Sequence, residues 1–120
     1  MTTDRQQSSG SSSTEQEWCR AGRISALTED RPLAVDLYGA SVGVFLVNGE
    51  IRAVENVCPH AYALLSQGFV EGDTVECPLH GAIFQLSTGK CLAGPSDRDI
   101  AVFDVKIEGE DIFLRPRPPA

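Results

Sequence analysis

Histidine is almost missing from this chain: there are two in 120 residues. Methionine and tryptophan occur once each, and cysteine four times. No apolar run approaches the ~20 residues that a membrane-spanning helix needs. The polar N-terminus has no basic stretch followed by an apolar one, so a secretory signal is not expected. Basic side chains are scarce, 10 against 17 acidic, and the net charge of −7 argues against nucleic acid as a partner. There is no Gly-x-Gly-x-x-Gly run to cradle a flavin or nicotinamide cofactor. Neither an internal repeat nor a long amphipathic helix is present. What these absences leave is one small domain, near the common size for a single hydrophobic core. It is expected in the cytoplasm, where thiols stay reduced and clustered cysteines mean metal more often than disulfide.

The residues that are present in small number are not scattered. Both histidines and two of the four cysteines fall in two short stretches, Cys58-Pro59-His60 and Cys77-Pro78-Leu79-His80. Sixteen residues, Ala61 to Glu76, lie between them. One thiol and one imidazole per stretch point to a single metal site built from two loop tips. Thiolate suits zinc or iron–sulfur iron, and imidazole suits zinc, copper or iron. A tetrahedral Cys₂His₂ zinc site is one candidate. The other is a [2Fe–2S] centre in which two histidines replace two cysteines on one iron. Paired zinc ligands typically stand two to four residues apart. A single residue between Cys58 and His60 is tight for one ion and comfortable for two metal atoms. On that reading Cys58 and Cys77 bind one iron, and His60 and His80 the other.

Cys-x-His, then sixteen residues, then Cys-x-x-His followed by Gly81 resembles the motif of Rieske-type [2Fe–2S] proteins. The wider wording is Cys-Pro-His-Ala-Tyr-Ala-Leu-Leu-Ser-Gln-Gly, then Val-Glu-Cys-Pro-Leu-His-Gly-Ala-Ile-Phe, then Ser-Thr-Gly-Lys. It is similar to the small ferredoxin component of bacterial aromatic-ring-hydroxylating dioxygenase systems, over about residues 18 to 115. The resemblance implies one [2Fe–2S] cluster per chain, held by Cys58, His60, Cys77 and His80. It also implies a one-electron carrier that takes electrons from a flavoprotein ferredoxin reductase, dependent on NAD(P)H, and passes them to a terminal oxygenase. Four protein ligands leave no open coordination position, so no catalytic residue is expected. A terminal oxygenase would need a second iron in a two-His-one-carboxylate site, and both histidines are already committed. A Rieske-like small subunit of a larger reductase, such as assimilatory nitrite reductase, and a zinc-stabilised binding module are the alternative functions.

The resemblance further implies which kind of centre this is. In high-potential relatives a disulfide ties the two loops, at positions matching Ala63 and Leu79, and neither is Cys here. Those relatives also carry Ser and Tyr hydroxyls bonded to sulfur, where this chain has Ala82 and Phe84. Hydrogen bonds to sulfur favour the reduced, more negative state, so their loss lowers the potential. The expected value is near the low end of the Rieske range, about −150 mV.

Along the chain, residues 1–17 read as a disordered Ser/Gln-rich tail, too apolar-poor to offset its ordering entropy. Residues 18–115 form the domain, with Trp18 as a core anchor at its start. Strands are expected at Trp18–Ile24, Leu33–Leu37, Val42–Val47, Ile51–Val54, Thr74–Cys77, Ala82–Leu86, Ile100–Ile107 and Asp111–Leu114. Leu33, Val35 and Leu37 alternate with Ala34 and Asp36 in the half-buried pattern. Asn48-Gly49 is a strong hairpin signal, because a type I′ turn needs positive φ at both positions. Short strands between regular turns give an all-β fold, an antiparallel sandwich or barrel, carrying a small inserted cluster-binding subdomain over about 56–95. The loop at Gly94-Pro95 packs over the cluster by resemblance. Residues 116–120 form a Pro-rich tail that cannot continue the sheet. Cys19 and Cys91 are expected to serve as small apolar packing. Tyr62, Leu64, Leu65 and Leu79 form a candidate apolar collar around the imidazole edges. Glu71, Asp73, Glu76, Asp97 and Asp99 read as solvated surface, and Lys90 and Arg98 as residues without a special role.

Overall fold

The computed structural model describes residues 18–59, 63–79, 81–94 and 98–117. The expected tail at 1–17 lies outside the described residues, as do Pro95, Asp97 and residues 118–120 of the expected C-terminal tail at 116–120, whose first two residues instead continue the sheet. Within the described residues, ten strands make two antiparallel sheets. Six strands form the larger sheet: β1 (Cys19–Arg23), β2 (Leu33–Leu37), β3 (Ala40–Val47), β4 (Glu50–Glu55), β9 (Val102–Glu108) and β10 (Asp111–Pro116). Their order is β1-β10-β9-β4-β3-β2. The sheet curls until its edges approach, so that a Cβ on Gly22 of β1 would stand 3.4 Å from Leu33 of β2. The smaller sheet, β5 (Phe69–Glu71), β6 (Thr74–Glu76), β7 (Ile83–Gln85) and β8 (Cys91–Ala93), is inserted between β4 and β9. This is the expected all-β architecture. Its only other regular elements among the described residues are 3₁₀ turns at Ile24–Ala26 and Leu65–Gln67.

The run from Val42 to Val47 shows no polar alternation because β3 is covered on both faces. Val42 and Val44 point into the curled sheet with Leu27, Ala53, Phe103, Ile112 and Leu114. Phe45 and Val47 point the other way, into a second core with Val54, Leu65, Val75, Phe84 and Leu86. Successive side chains of a strand face opposite sides, so one strand serves both cores. Asp73, in the turn between β5 and β6, adds a polar tie. Its carboxylate accepts from the Ser87 hydroxyl and stands 3.7 Å from Arg52 Nε of β4.

The Asn48-Gly49 hairpin forms as expected, with φ of 52° and 82° joining β3 to β4. Two three-residue strands, β5 and β8, were not anticipated. The C-terminal strand also continues past the expected end at Leu114: Pro116 pairs with Phe103, and Arg117 N donates to Val102 O at 3.1 Å. Pro116 is tolerated because it lies beyond the β1 pairing, which stops at Cys19 opposite Leu114, so its missing N–H deprives no ladder. Trp18 is not a core anchor. Its ring is half-buried and lies between cations, with Lys106 Nζ 4.7 Å and Arg115 Cζ 4.5 Å from the centroid. Covering an aromatic face with guanidinium and ammonium groups is favourable without full burial.

Candidate metal centre

The two cysteine-bearing loops are built alike. The Cys58 amide donates to Ala63 O at 2.8 Å, and the Cys77 amide donates to Ala82 O at 2.7 Å. Each loop therefore starts at Cys-Pro and closes on the carbonyl of an alanine five positions on. The second has an inner turn as well, Gly81 N to Cys77 O at 3.2 Å. Beneath them the first loop is anchored by the Val57–Leu64 bridge and the second by the β6–β7 pairing. The closing bonds leave both cysteine side chains pointing inward. Cys58 is 0% and Cys77 1% exposed, and both join the core between the sheets.

Two thiols buried in one apolar cluster, with no disulfide among the four cysteines, form a donor set that suits an iron–sulfur group. Thiolates need an electropositive partner to be stable away from water, and iron supplies one. His60 and His80 lie outside the described residues, as does Tyr62 of the expected collar. Of the other collar residues, Leu65 is buried, Leu64 is half-buried, and Leu79 at the tip of the second loop is 60% exposed. Ala82 and Phe84 are both fully buried in the same core as Cys77, so neither wall offers a hydroxyl to sulfur.

The third loop meets the second directly. Gly94 has φ of +100°, and a Cβ there would lie 2.5 Å from Ala82 Cα and 3.1 Å from Gly81 O. Only glycine permits that approach. The far end of this loop is fixed by residues that the sequence reading left as plain surface. Arg98 Nη2 donates to Glu55 Oε2 at 2.8 Å, Glu55 Oε1 accepts from Ala101 N at 3.0 Å, and Asp99 Oδ1 accepts from Cys91 N at 2.8 Å. The Glu55 carboxylate, first by hydrogen bonding and then by its charge, raises the Arg98 pKa further above its ordinary value. Arg98, Asp99 and Asp73 thus have structural partners, which a charge count does not disclose.

Asn56, absent from the residues singled out by spacing, is fully buried two residues before Cys58. An asparagine at the mouth of a loop is a known turn former, and that was the available signal.

The profile of the Rieske [2Fe–2S] domain matches residues 17–104. The chain belongs to the Rieske [2Fe–2S] family. Among Rieske proteins it is 38% identical over 100 residues to the ferredoxin component of the naphthalene 1,2-dioxygenase/salicylate 5-hydroxylase systems of a Ralstonia species. That match covers 83% of this chain and 96% of the relative. Among solved Rieske structures it is similar to the ferredoxin of carbazole 1,9a-dioxygenase from Nocardioides aromaticivorans IC177. The TM-score is 0.78 and the identity 30%, covering 85% of this chain and all of that one. A chain in the complex of reduced oxygenase and oxidised ferredoxin of carbazole 1,9a-dioxygenase matches with TM-score 0.74 and 30% identity, over 81% of this chain and 91% of that one. The family's cofactor is the [2Fe–2S] cluster, one per domain.

Proposed function

We propose that this Rieske protein is a cytoplasmic one-electron carrier. It takes electrons from an NAD(P)H-dependent flavoprotein reductase and delivers them to a terminal aromatic-ring-hydroxylating oxygenase. Cys58, His60, Cys77 and His80 are the proposed ligands, within a cluster-bearing subdomain of residues 56–95. When bound, a [2Fe–2S] cluster supplies a reversible one-electron couple. The observation that carries the ligand assignment is the pair of twin loops delivering two buried thiols to one core. The ferredoxin names of the relatives support the role, since they belong to dioxygenase systems.

The remaining side chains have assignable tasks. Leu65, Val75, Ala82 and Phe84 keep water from the sulfur side. Because Ala82 and Phe84 present no side-chain donor, the proposed couple lies at the low end of the Rieske range, about −150 mV. That level suits reduction by a flavoprotein and disfavours quinol oxidation. Leu79, apolar and exposed at the tip, is a contact for the oxygenase. The acidic balance of the chain suits short encounters with basic surfaces.

The test is spectroscopic and then kinetic. Iron-reconstituted protein should be red-brown, bleach with dithionite, and show the g-average of a mixed nitrogen/sulfur binuclear centre when reduced. The reduced protein should then support turnover by an oxygenase of this class. Colourless protein carrying one zinc per chain would defeat the reading. Stable co-purification with a large reductase would move the assignment to an integral subunit.

A further inference from the structure

Among the described residues, one polar side chain is enclosed completely, that of Asn56. All four of its hydrogen-bonding groups are matched. Its backbone N donates to Ser41 O at 3.0 Å and its backbone O accepts from Leu65 N at 2.7 Å. Its side-chain Nδ2 donates to Ser41 Oγ at 3.1 Å, and Oδ1 accepts from Ser66 N at 2.8 Å. An amide is unfavourable in a dry core unless each group finds such a partner, and a leucine of similar volume would fill the space without that demand. The partners fall on both sides of the first cysteine loop. Leu65 and Ser66 close its exit, and Ser41 ties its entrance to β3.

A second, independent observation concerns the other wall. Gly43 of β3 faces the amide, and a Cβ there would lie 2.9 Å from Asn56 Oδ1, 3.3 Å from its Cγ and 2.9 Å from the Phe45 ring. The φ of Gly43 lies outside the left-handed region in which glycine is favoured. The glycine is therefore required for space: β3 leaves a recess that the Asn56 side chain shares with the edge of the Phe45 ring.

We infer that Asn56 is the positioning residue of the first cysteine loop: by clamping residues 57–65 at the neck it fixes where Cys58 presents its sulfur. The inference rests on the proposed ligand role of Cys58. Its mechanism is geometric, because the Ser66 N–H needs an acceptor at that point and, among the described residues, the Asn56 side chain supplies it. Gly43 and Ser41 act through Asn56.

The test compares Asn56→Leu, Asn56→Asp and Gly43→Ala with the unaltered chain in two readouts. The first is deuterium exchange at the Ser66 amide in the protein as purified. The second is the rate at which excess chelator removes the cluster, together with the electron paramagnetic resonance line shape. Asn56→Leu should exchange Ser66 and release the cluster each about tenfold faster, the scale of one buried hydrogen bond, and should broaden the spectrum. Gly43→Ala should move both in the same direction by a smaller factor. Asn56→Asp should stay within about threefold, because the carboxyl keeps an acceptor for Ser66 and the Ser41 hydroxyl can turn to donate. Unchanged release and line shape in Asn56→Leu would overturn the inference, and so would Asn56→Asp behaving like Asn56→Leu. If the unaltered chain binds no cluster while Ser66 exchange still accelerates in Asn56→Leu, the clamp stands and the proposed function falls.

Discussion

Gly94 and Ala82 approach so closely that no side chain fits between them, a Cβ on Gly94 standing 2.5 Å from Ala82 Cα. Gly94→Ala would combine that overlap with a left-handed backbone, which costs about 1–2 kcal/mol for a residue with a Cβ. The third loop should lift away from the second. We expect a fall of about 2–5 kcal/mol in unfolding free energy, the sum of that strain and a forced backbone shift of about 1–3 kcal/mol. The cluster should bleach faster in chelator. Wild-type melting together with wild-type bleaching would show that this contact does not hold the loop down.

Cys77→Ser should lose most of the cluster, because a hydroxyl is a poor ligand for iron beside a thiolate. Metal binding is coupled to folding, so the same variant should melt at lower temperature and lose exchange protection across residues 56–95. Cys58→Ser should behave alike, given the matching loops. Intact colour in either variant would remove that cysteine from the ligand set.

Replacing His80 with Cys should retain a cluster and move its potential sharply downward. A thiolate in place of a neutral imidazole on that iron adds negative charge and disfavours the reduced state. Redox titration followed in the visible spectrum reads this directly, and an unchanged potential would refute the assignment of His80.

Phe84→Tyr makes the opposite change from the other wall. Phe84 is fully buried in the same core as Cys77, and a hydroxyl aimed at sulfur would stabilise the reduced form. A hydrogen bond to a charged acceptor is worth about 1.5–3 kcal/mol, and a tenfold shift in a one-electron equilibrium is 59 mV. The potential should therefore rise by roughly 60–120 mV. A rise with no change in iron content is the expected result. No rise would mean that the new hydroxyl points elsewhere.

Leu79→Ser tests the proposed contact with the oxygenase. The side chain is 60% exposed, so stability should change by no more than about 0.5 kcal/mol. Potential and colour should be unaltered, while reduction of the oxygenase slows several-fold. Equal rates for the two proteins would place the contact elsewhere on the surface.

How much of this was legible beforehand depends on the range of the interaction. The β2 alternation and the Asn48-Gly49 turn are local, and both were read correctly. The cysteine and histidine spacing is also local, and it led to the family. Strands β5 and β8, three residues each, are the outer strands of the small sheet, where pairing with β6 and β7 rather than any local period marks them. Trp18 was misread because hydrophobicity suggests the core, whereas Lys106 and Arg115 reach it from far along the chain. The same holds for Arg98, whose partner Glu55 is 43 positions away. Asn56 shows the limit most clearly, since its meaning lies in Ser41, Gly43 and Ser66, which no spacing rule connects.

Strand β3 has a consequence for anyone wishing to move the two cysteine loops onto another scaffold. Phe45 and Val47 form part of the floor on which those loops rest, yet their neighbours Val42 and Val44 belong to the opposite core. A graft cut at residues 56 and 95 would leave that floor behind and carry away an uncovered oily underside, prone to stick to its own copies. The recipient must bring a strand of its own with the same two-sided greasiness, or the transplant will precipitate before it can take up iron.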